Sequence, residues 1–350
     1  MSTLKLPGLI DPHVHLRDPG QTEKEDFFTG TSAALAGGFT TVIDMPNNAT
    51  PITTLERLEE KIKEAREKTV SDIGFYFGSL GDNLNEFPKV SSKVFGLKLY
   101  LNQTTGNYLL DKSHLENIFK AWPQEKPILV HAEEKTFDDV LEVVKKYPRR
   151  LHLCHMSLRY ELERVIEAKN AGLPVTCGVT PHHLFLTEGD EKILGPFGKM
   201  RPPLRSRGDV DFFWKHLRSI DLIESDHAPH TLEEKQSDNP PNGITNLETT
   251  LPLLLNAVSE KRLAVEDVIR LCHEGPATVF AIPTDTKTYV EVDPRASYEI
   301  RNDDLFTKCK WSPFNGWKVK GRVHKVVLHG NTVFENGKLL ASPGSGTILP

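Results

Sequence analysis

Eight short apolar segments recur along the first two thirds of the chain, and segments with helical spacing lie between several of them. We predict that these segments are buried β-strands, and in chain order they include residues 6–10, 40–46, 73–77, 96–101, 127–133, 151–156, 174–181 and 221–226. Strands that alternate with helices pair in parallel, because the crossover helix returns the chain to the same end of the sheet. The pattern therefore predicts an α/β fold built on a parallel sheet.

Eight strand–helix units match the count of a (β/α)8 TIM-type barrel, whose active site lies at the carboxyl ends of the strands. A doubly wound sheet is the competing fold. A doubly wound sheet that binds a nucleotide carries a glycine-rich fingerprint after an early strand, and the sequence contains no such fingerprint. We therefore predict the barrel.

After residue 282 the pattern changes to short alternating runs at residues 288–293, 323–328 and 332–335. Alternation of apolar and polar residues is typical of half-buried strands. We predict a small β-rich C-terminal extension that pairs with the N-terminal residues. The expected division is a barrel domain over residues 1–285 and an extension over residues 286–350 that packs on the barrel.

Composition narrows the classes of function. The 350 residues are 38% hydrophobic, which is enough for a large core without disulfides. The net charge is -5 and no long basic cluster occurs, so we expect a small-molecule substrate, no nucleic acid and no membrane partner. The four cysteines show no CxxC spacing, and no apolar run resembles a signal or a membrane span. We expect a cytoplasmic protein.

The segment after the first apolar run contains two histidines with one residue between them. Side chains on a strand alternate between its faces, so His13 and His15 point to the same side. Two imidazoles on one face are half of a first coordination shell for Zn²⁺. Alone, the pair is weak evidence, because two histidines at a strand end are also common without a metal.

Further candidate ligands end later apolar runs. The same alternation directs Lys98 into the barrel, where an ammonium must be paired, deprotonated or modified. Reaction of the neutral amine with CO₂ would give a carbamate, a carboxylate-like group that can bridge two metals. His131, His155 and Asp226 end three other strands, and together these residues predict a metal centre at the carboxyl end of the barrel.

Specific motifs extend from about Leu6 to the C-terminus: DPHVHLRDPG, DMPN, GLKLYLNQT, VHAE, CHMS, CGVTPHHL, MRPPLRS, SDHAPHTLEEK and NLETTLPLLL. With these motifs the chain resembles the amidohydrolase superfamily. Within it, the chain is similar to dihydroorotases of the short type that is fused into the multifunctional animal pyrimidine enzyme. The resemblance implies a zinc-dependent hydrolase of cyclic amides.

The resemblance also assigns roles to residues. It implies two Zn²⁺ per chain: His13, His15 and Asp226 hold one ion, His131 and His155 hold the other, and N6-carboxylated Lys98 bridges both. It implies that the substrate is bound by Arg17, Asn47, His230, Arg201, Asn242 and Gly243. The loop with Thr104 and Thr105 departs from the animal-type relatives and is more similar to the mobile substrate-covering loop of the other bacterial dihydroorotase type. A guanidinium fork suits the substrate carboxylate. A homo-oligomer and association with aspartate transcarbamoylase are expected on the same basis.

The implied reaction is the reversible cyclisation of N-carbamoyl-L-aspartate to L-dihydroorotate in de novo pyrimidine biosynthesis. In the hydrolytic direction, a hydroxide shared by the two metals attacks the ring carbonyl, and Asp226 as general acid and base carries a proton to the leaving nitrogen. Gly178 departs from the animal-type motif, which has a glutamate associated with an extra metal. Since glycine cannot ligate, we expect no third zinc through Cys154.

Two alternatives remain open from the sequence. One is a different cyclic-amide hydrolase, an allantoinase or a hydantoinase, with the same metal ligands. Arg17, Asn47 and His230 argue against it, because they favour an anionic ring. The other is a non-catalytic relative that serves as a scaffold for another pyrimidine enzyme, although this chain keeps all six ligand positions.

Overall fold

The computed structural model describes residues 3–104 and 108–350. Its strands are β1 (Leu4–Pro7), β2 (Leu9–Val14), β3 (Phe39–Asp44), β4 (Asp72–Phe75), β5 (Phe77–Gly78), β6 (Leu97–Tyr100), β7 (Ile128–His131), β8 (Leu151–Leu153), β9 (Val175–Val179), β10 (Leu222–Ile223), β11 (Tyr289–Glu299), β12 (Lys318–Leu328), β13 (Asn331–Glu335) and β14 (Lys338–Leu339).

The α-helices are α1 (Phe27–Ala36), α2 (Leu55–Lys68), α3 (Phe87–Val90), α4 (Leu115–Ala121), α5 (Lys135–Lys146), α6 (Arg159–Asn170), α7 (Pro181–Phe185), α8 (Glu188–Leu194), α9 (Arg207–Lys215), α10 (Leu232–Lys235), α11 (Leu247–Ser259), α12 (Val265–Ile269) and α13 (Gly275–Phe280). A π-helical segment, Arg270–Glu274, connects the last two. None of the helices in the described ranges is both long enough and apolar enough to cross a lipid bilayer.

The barrel wall consists of two parallel sheets. One has the order β2-β3-β4 and the other the order β10-β9-β8-β7-β6-β5. The third predicted strand is divided at Tyr76, so β4 pairs with β3 whereas β5 pairs with β6. A backbone hydrogen bond from the Phe95 amide to the Phe75 carbonyl bridges this division. On the opposite side, a parallel bridge between Val14 and His227 closes the barrel.

The eight predicted strands and the barrel are therefore confirmed. Alternation sorts the side chains of β6 as expected: Leu97 and Leu99 pack in the main apolar core, whereas Lys98 and Tyr100 lie inside the barrel near its mouth. A second apolar cluster fills the barrel below them. It includes Ile10, Ile43, Leu129, Leu222 and Phe280.

The helix termini follow from local chemistry. The Asp26 carboxylate accepts a hydrogen bond from the Thr29 amide and caps α1. Thr53 lies three residues before Glu56, the spacing of a capping box, and this spacing predicts that Thr53 caps α2. The prediction is wrong, because the hydroxyl of Thr54 accepts the hydrogen bond from the Arg57 amide. Helix ends predicted from sequence commonly shift by one residue.

The C-terminal strands form an antiparallel sheet with the order β1-β11-β12-β13-β14. Leu4 pairs with Val292 and Leu6 with Val290, so the predicted pairing with the N-terminal residues is confirmed. Near the C-terminus, Ile348 forms a parallel bridge with Ile73 at the amino end of the barrel strands. The division of the chain at residue 285 stays a prediction.

Candidate active site

The predicted ligands meet at the carboxyl end of the barrel. His13 and His15 lie at the end of β2, His131 ends β7, His155 follows β8 and Asp226 follows β10. Parallel strands bring these positions to one end of the barrel although up to 213 residues separate them in sequence, the difference between positions 226 and 13. All five are buried or nearly so.

Two groups of donor atoms form around this ring of strands. In the first, Asp226 Oδ1 lies 3.0 Å from His15 Nε2 and 3.4 Å from His13 Nε2. In the second, His131 Nδ1 lies 3.0 Å from His155 Nε2. The His13 and His155 rings are 5.2 Å apart, so the two groups are adjacent.

Oxygen acceptors hold the rear nitrogens of three of these histidines. His15 Nδ1 lies 2.7 Å from Asn47 Oδ1, and His131 Nε2 lies 3.0 Å from Glu133 Oε1. His13 Nδ1 lies 2.7 Å from Glu224 Oε2. Because these oxygens only accept, each rear nitrogen carries the proton and donates it. In a neutral ring, the nitrogen that faces the site then has a free lone pair.

The protonation states of the candidate donors are those of metal ligands. Burial, followed by the charge of Lys98, lowers the pKa of His13 from 6.5 to about 4. Burial and the neighbouring His131 hold the pKa of His155 well below its ordinary value. Burial alone would raise the pKa of Asp226, but contact with His15 and His13 outweighs it and lowers this pKa. Neutral imidazoles and an ionised carboxylate are the forms that bind metals.

The donor set fits a divalent ion. Two nitrogens bound to one tetrahedral Zn²⁺ are about 3.3 Å apart, since each lies about 2.0–2.1 Å from the ion. The 3.0 Å between His131 Nδ1 and His155 Nε2 is close to this spacing. His13, His15 and Asp226 each offer a ligand atom within 4.8 Å of the others. These residues could therefore hold metal.

Lys98 is completely buried beneath the histidines. Its Nζ lies 3.1 Å from Cys154 Sγ and 4.9 Å from the centre of the Tyr100 ring. Burial raises the pKa of the Cys154 thiol to about 12, so the thiol is neutral. Within residues 3–104 and 108–350 no carboxylate pairs with Lys98. A bare ammonium is costly in this environment.

A cleft with about 400 Å³ of open space lies above these donors. The predicted residues that line it are His13, His15, Arg17, Asn47, Thr104, His131, His155, Arg201, Asp226, Asn242 and Gly243. Two other predicted residues are close to the cleft but do not line it. Lys98 is buried beneath the histidines, and His230 Nε2 is 3.3 Å from a terminal nitrogen of Arg17. Thr105 falls outside the described residues.

Arg17 is the buried cation of this cleft. Its Nε donates to the carbonyl oxygen of Pro229 at 3.1 Å, which fixes the guanidinium beside His230. In the described part of the chain no carboxylate forms an ion pair with Arg17. Its charge is thus available to an anionic ligand. Arg201 differs, because its side chain is 48% exposed at the rim, 3.8 Å from Glu133.

The backbone is strained at three positions of the site. Arg17 (φ 65°), His155 (φ 39°) and Asp226 (φ 47°) adopt left-handed conformations. Such conformations cost on the order of 1–3 kcal/mol each and cluster at functional sites. Gly243 has φ 131°, and a Cβ there would lie 2.7 Å from the carbonyl oxygen of Ala228, so only glycine fits.

Sequence reasoning missed three residues that belong to this arrangement. Tyr100 lines the cleft, and its hydroxyl is buried without a hydrogen-bond partner among the described residues. Glu133 and Glu224 hold ligand histidines from behind. Alternation gave the signal for Glu224, because it lies two residues before Asp226 on the same face of the strand.

Comparisons with known proteins agree with this picture. A model of the family described as "Amidohydrolase family" matches residues 4–333. The chain is 46% identical over 347 residues to "Multifunctional protein CAD" of Squalus acanthias, covering 98% of this chain and 15% of that protein. It is 35% identical over 358 residues to "Dihydroorotase" of Pyrococcus furiosus, covering 98% and 84%. It thus spans about a sixth of the multifunctional relatives, 15% and 16% of their lengths.

Solved structures share the fold. An L-hydantoinase from Arthrobacter aurescens superposes with a TM-score of 0.94 at 27% identity, covering 99% of this chain and 88% of that one. The "Inactive dihydroorotase-like domain" of a Chaetomium thermophilum CAD-like protein superposes with a TM-score of 0.85 at 24% identity, covering all of both chains. The second likeness concerns the fold alone.

Proposed function

Because the chain belongs to the amidohydrolase family and, within it, to the dihydroorotases, we propose that it interconverts N-carbamoyl-L-aspartate and L-dihydroorotate in pyrimidine biosynthesis. One observation carries the proposal. The Arg17 guanidinium, which forms no ion pair with a carboxylate of the described residues, opens onto the same cleft as the histidine and aspartate donors. An anionic ring can therefore be held by Arg17 while its amide lies over the donors.

We further propose two Zn²⁺ per chain. His13, His15 and Asp226 would hold one ion, and His131 and His155 the other. N6-carboxylated Lys98 would bridge both. The carbamate is supported by the burial of Lys98 without a carboxylate partner among the described residues, since carbamylation turns an uncompensated cation into an anion. Two bound ions would make a nucleophilic water available near neutral pH and polarise the amide carbonyl.

The residues of the chain supply orientation and proton transfer. Asp226, ionised in the resting site, accepts a proton from the attacking water and delivers it to the ring nitrogen as the amide bond breaks. In the reverse direction the same carboxylate removes a proton from the attacking ureido nitrogen. His15 and His13, within 3.4 Å of Asp226 Oδ1, keep the carboxylate aligned.

Substrate binding is assigned to the upper wall of the cleft. Arg17 and Asn47 would hold the substrate carboxylate, with His230 supporting Arg17 from behind. Arg201, Asn242, Gly243 and Thr104 would surround the ring. We propose that Thr105 acts with Thr104 in a covering loop.

The proposal is tested with purified protein and three rings. Turnover of L-dihydroorotate should exceed that of the uncharged rings dihydrouracil and hydantoin by orders of magnitude, and elemental analysis should find about two zinc ions per chain. Turnover of the uncharged rings as fast as dihydroorotate would refute the proposed substrate. Full activity with one ion or none would refute the binuclear site.

A hydantoinase is the second candidate, because the solved structure of such an enzyme superposes with a TM-score of 0.94. The higher identity to dihydroorotases, 35–46% against 27%, favours the first candidate. The same three-ring assay separates the two.

We also propose that the protein is a cytoplasmic homo-oligomer that associates with aspartate transcarbamoylase. Similarity to multifunctional proteins supports the association. Size-exclusion chromatography with light scattering, alone and with aspartate transcarbamoylase, tests it, and independent elution of the two proteins would contradict it.

A further inference from the structure

The Glu224 carboxylate lies inside the barrel directly beneath the candidate metal site and takes no part in the proposed reaction. Its side chain is 1% exposed. It is on the strand end that leads to Asp226, two residues earlier in the chain. A buried carboxylate is costly unless several donors satisfy it, so its partners indicate its role.

Donors on two other strands occupy the two oxygens of Glu224. Oε2 accepts from His13 Nδ1 at 2.7 Å, and Oε1 accepts from the backbone N–H of His155 at 2.5 Å. His152 Nε2 lies 3.7 Å from Oε1. One carboxylate therefore connects a candidate ligand of the first donor group to the backbone of a ligand of the second.

The bond to His13 determines which nitrogen of that ring is free. Since a carboxylate only accepts, His13 carries its proton on Nδ1, and the lone pair of Nε2 faces Asp226. A carboxylate behind a ligand histidine fixes both the tautomer and the ring orientation and increases the basicity of the ligand. Glu224 has the position that this arrangement requires.

The space for this carboxylate depends on Gly178 in β9. A Cβ at position 178 would lie 2.3 Å from Glu224 Oε1 and 2.7 Å from its carboxyl carbon. Any side chain at 178 would collide with the acid. The departure from the animal-type motif at this position thus has a physical reason, because a carboxylate from the eighth barrel strand fills the volume next to Gly178 in the seventh.

We propose that Glu224 is a positioning residue that sets the tautomer of His13, anchors the backbone at His155 and supplies negative charge beneath the metal centre, and that Gly178 provides the room for it. The inference rests on the proposed metal-dependent function. It differs from a ligand role, which the proximity of Glu224 to His152 and Cys154 would also allow.

The first experiment replaces the acid by its neutral isostere. The amide of Glu224→Gln has only one acceptor oxygen, whereas His13 Nδ1 and the His155 backbone N–H each need an acceptor. We therefore expect the zinc affinity to fall about 10- to 100-fold. Competition with a chromogenic chelator measures this affinity independently of turnover. The matched control is Glu248→Gln, because Glu248 also accepts two backbone N–H groups, those of Phe306 and Thr307, but contacts no candidate ligand. The control should bind zinc like the parent.

Relocation of the carboxylate is the sharper experiment. Glu224→Ala alone should lose affinity, and Gly178→Glu alone should lose stability, because two acids then compete for one volume. The double variant should recover the affinity for the two proposed zinc ions relative to Glu224→Ala, because the carboxylate again reaches the space beneath His13. A recovery that elemental analysis traces to a third zinc ion in the double variant would count against the inference. Because the double variant is compared in its folded form, the inference can still be tested if one of the single variants fails to fold.

Three results would overturn the inference. They are unchanged zinc affinity in Glu224→Gln, no recovery in the folded double variant, and the selective loss of a third equivalent of zinc, which would make Glu224 a ligand. Failure of the proposed function is distinguishable, because a parent that binds zinc but does not turn over dihydroorotate still allows the affinity measurements.

Discussion

Replacement of Arg17 by glutamine should remove substrate recognition and leave the metal site intact. Arg17 is 5% exposed, its Nε is held by Pro229, and no carboxylate of the described residues pairs with it. A bound substrate carboxylate therefore becomes its ionic partner. Glutamine removes the charge. Arginine and glutamine both carry a Cβ, so the strain of the left-handed backbone at position 17 (φ 65°) is unchanged.

The expected magnitude follows from the burial of the pair. Loss of one partner from a buried ion pair costs about 3–5 kcal/mol, and each 1.36 kcal/mol is a factor of ten in rate. The kcat/KM for dihydroorotate should thus fall roughly 100- to several-thousand-fold, toward the lower limit where water enters past the half-exposed Arg201. Zinc content should remain that of the parent, because Arg17 is not among the candidate metal ligands.

Ultraviolet assays of dihydroorotate and dihydrouracil hydrolysis measure the two classes of ring. The matched control is Arg150→Gln, since the Arg150 guanidinium donates to the carbonyl oxygens of Glu125 and Val279 at the amino end of the barrel. That variant should keep the kinetics of the parent. A loss below tenfold for dihydroorotate, or an equal loss for both rings, would refute the role of Arg17 as the carboxylate partner.

Three further predictions follow from other parts of the site. Lys98→Ala should lose zinc and turnover together, and short carboxylic acids should restore part of both; a variant with full zinc content and normal turnover would exclude the carbamate. Burial lowers the pKa of His183 from 6.5 to about 4, so the unfolded chain binds its proton first and the metal-free protein should lose stability as the pH falls from 6.5 to 4. This contribution is about 3 kcal/mol, and urea denaturation of His183→Gln should show a flatter pH dependence. Lys61→Met should destabilise the protein by about 3–5 kcal/mol in urea, because it leaves Asp44, its buried partner at 2.7 Å, without a cation; a change below 1 kcal/mol would contradict this.

Alternation and strand ends were sufficient to predict the barrel and the candidate metal ligands, whereas the other predicted residues of the cleft came from the resemblance to dihydroorotases. Lys98 illustrates why: on a strand with period two, the faces of neighbouring leucines determine the direction of the lysine. The role of Glu224 was not predictable in this way, because its partners His13 and His155 are distant in sequence. The packing of Gly178 against it depends on the register of β9 and β10, which strand patterns alone do not define.

The positions of Thr54 and His230 show two other limits. A helix cap is a local competition between adjacent threonines, and it depends on backbone angles that the sequence pattern does not specify. His230 matches a substrate-binding motif, yet it does not line the cleft, and its Nε2 lies 3.3 Å from a terminal nitrogen of Arg17. Motifs identify which residues belong to a site more readily than which atoms face the ligand.

The division of the barrel wall at Tyr76 separates the candidate site into two arcs. The arc of β2, β3 and β4 carries His13, His15, Arg17 and Asn47, whereas the longer arc carries Lys98, His131, His155 and Asp226. The arcs meet at two seams, one at Tyr76 and one at the bridge between Val14 and His227. An ion or substrate bound between the arcs links them across both seams. Ligand binding should therefore reduce local opening of the barrel wall, and hydrogen exchange of the Phe95 amide, whose bond to Phe75 crosses one seam, should slow when a ligand binds.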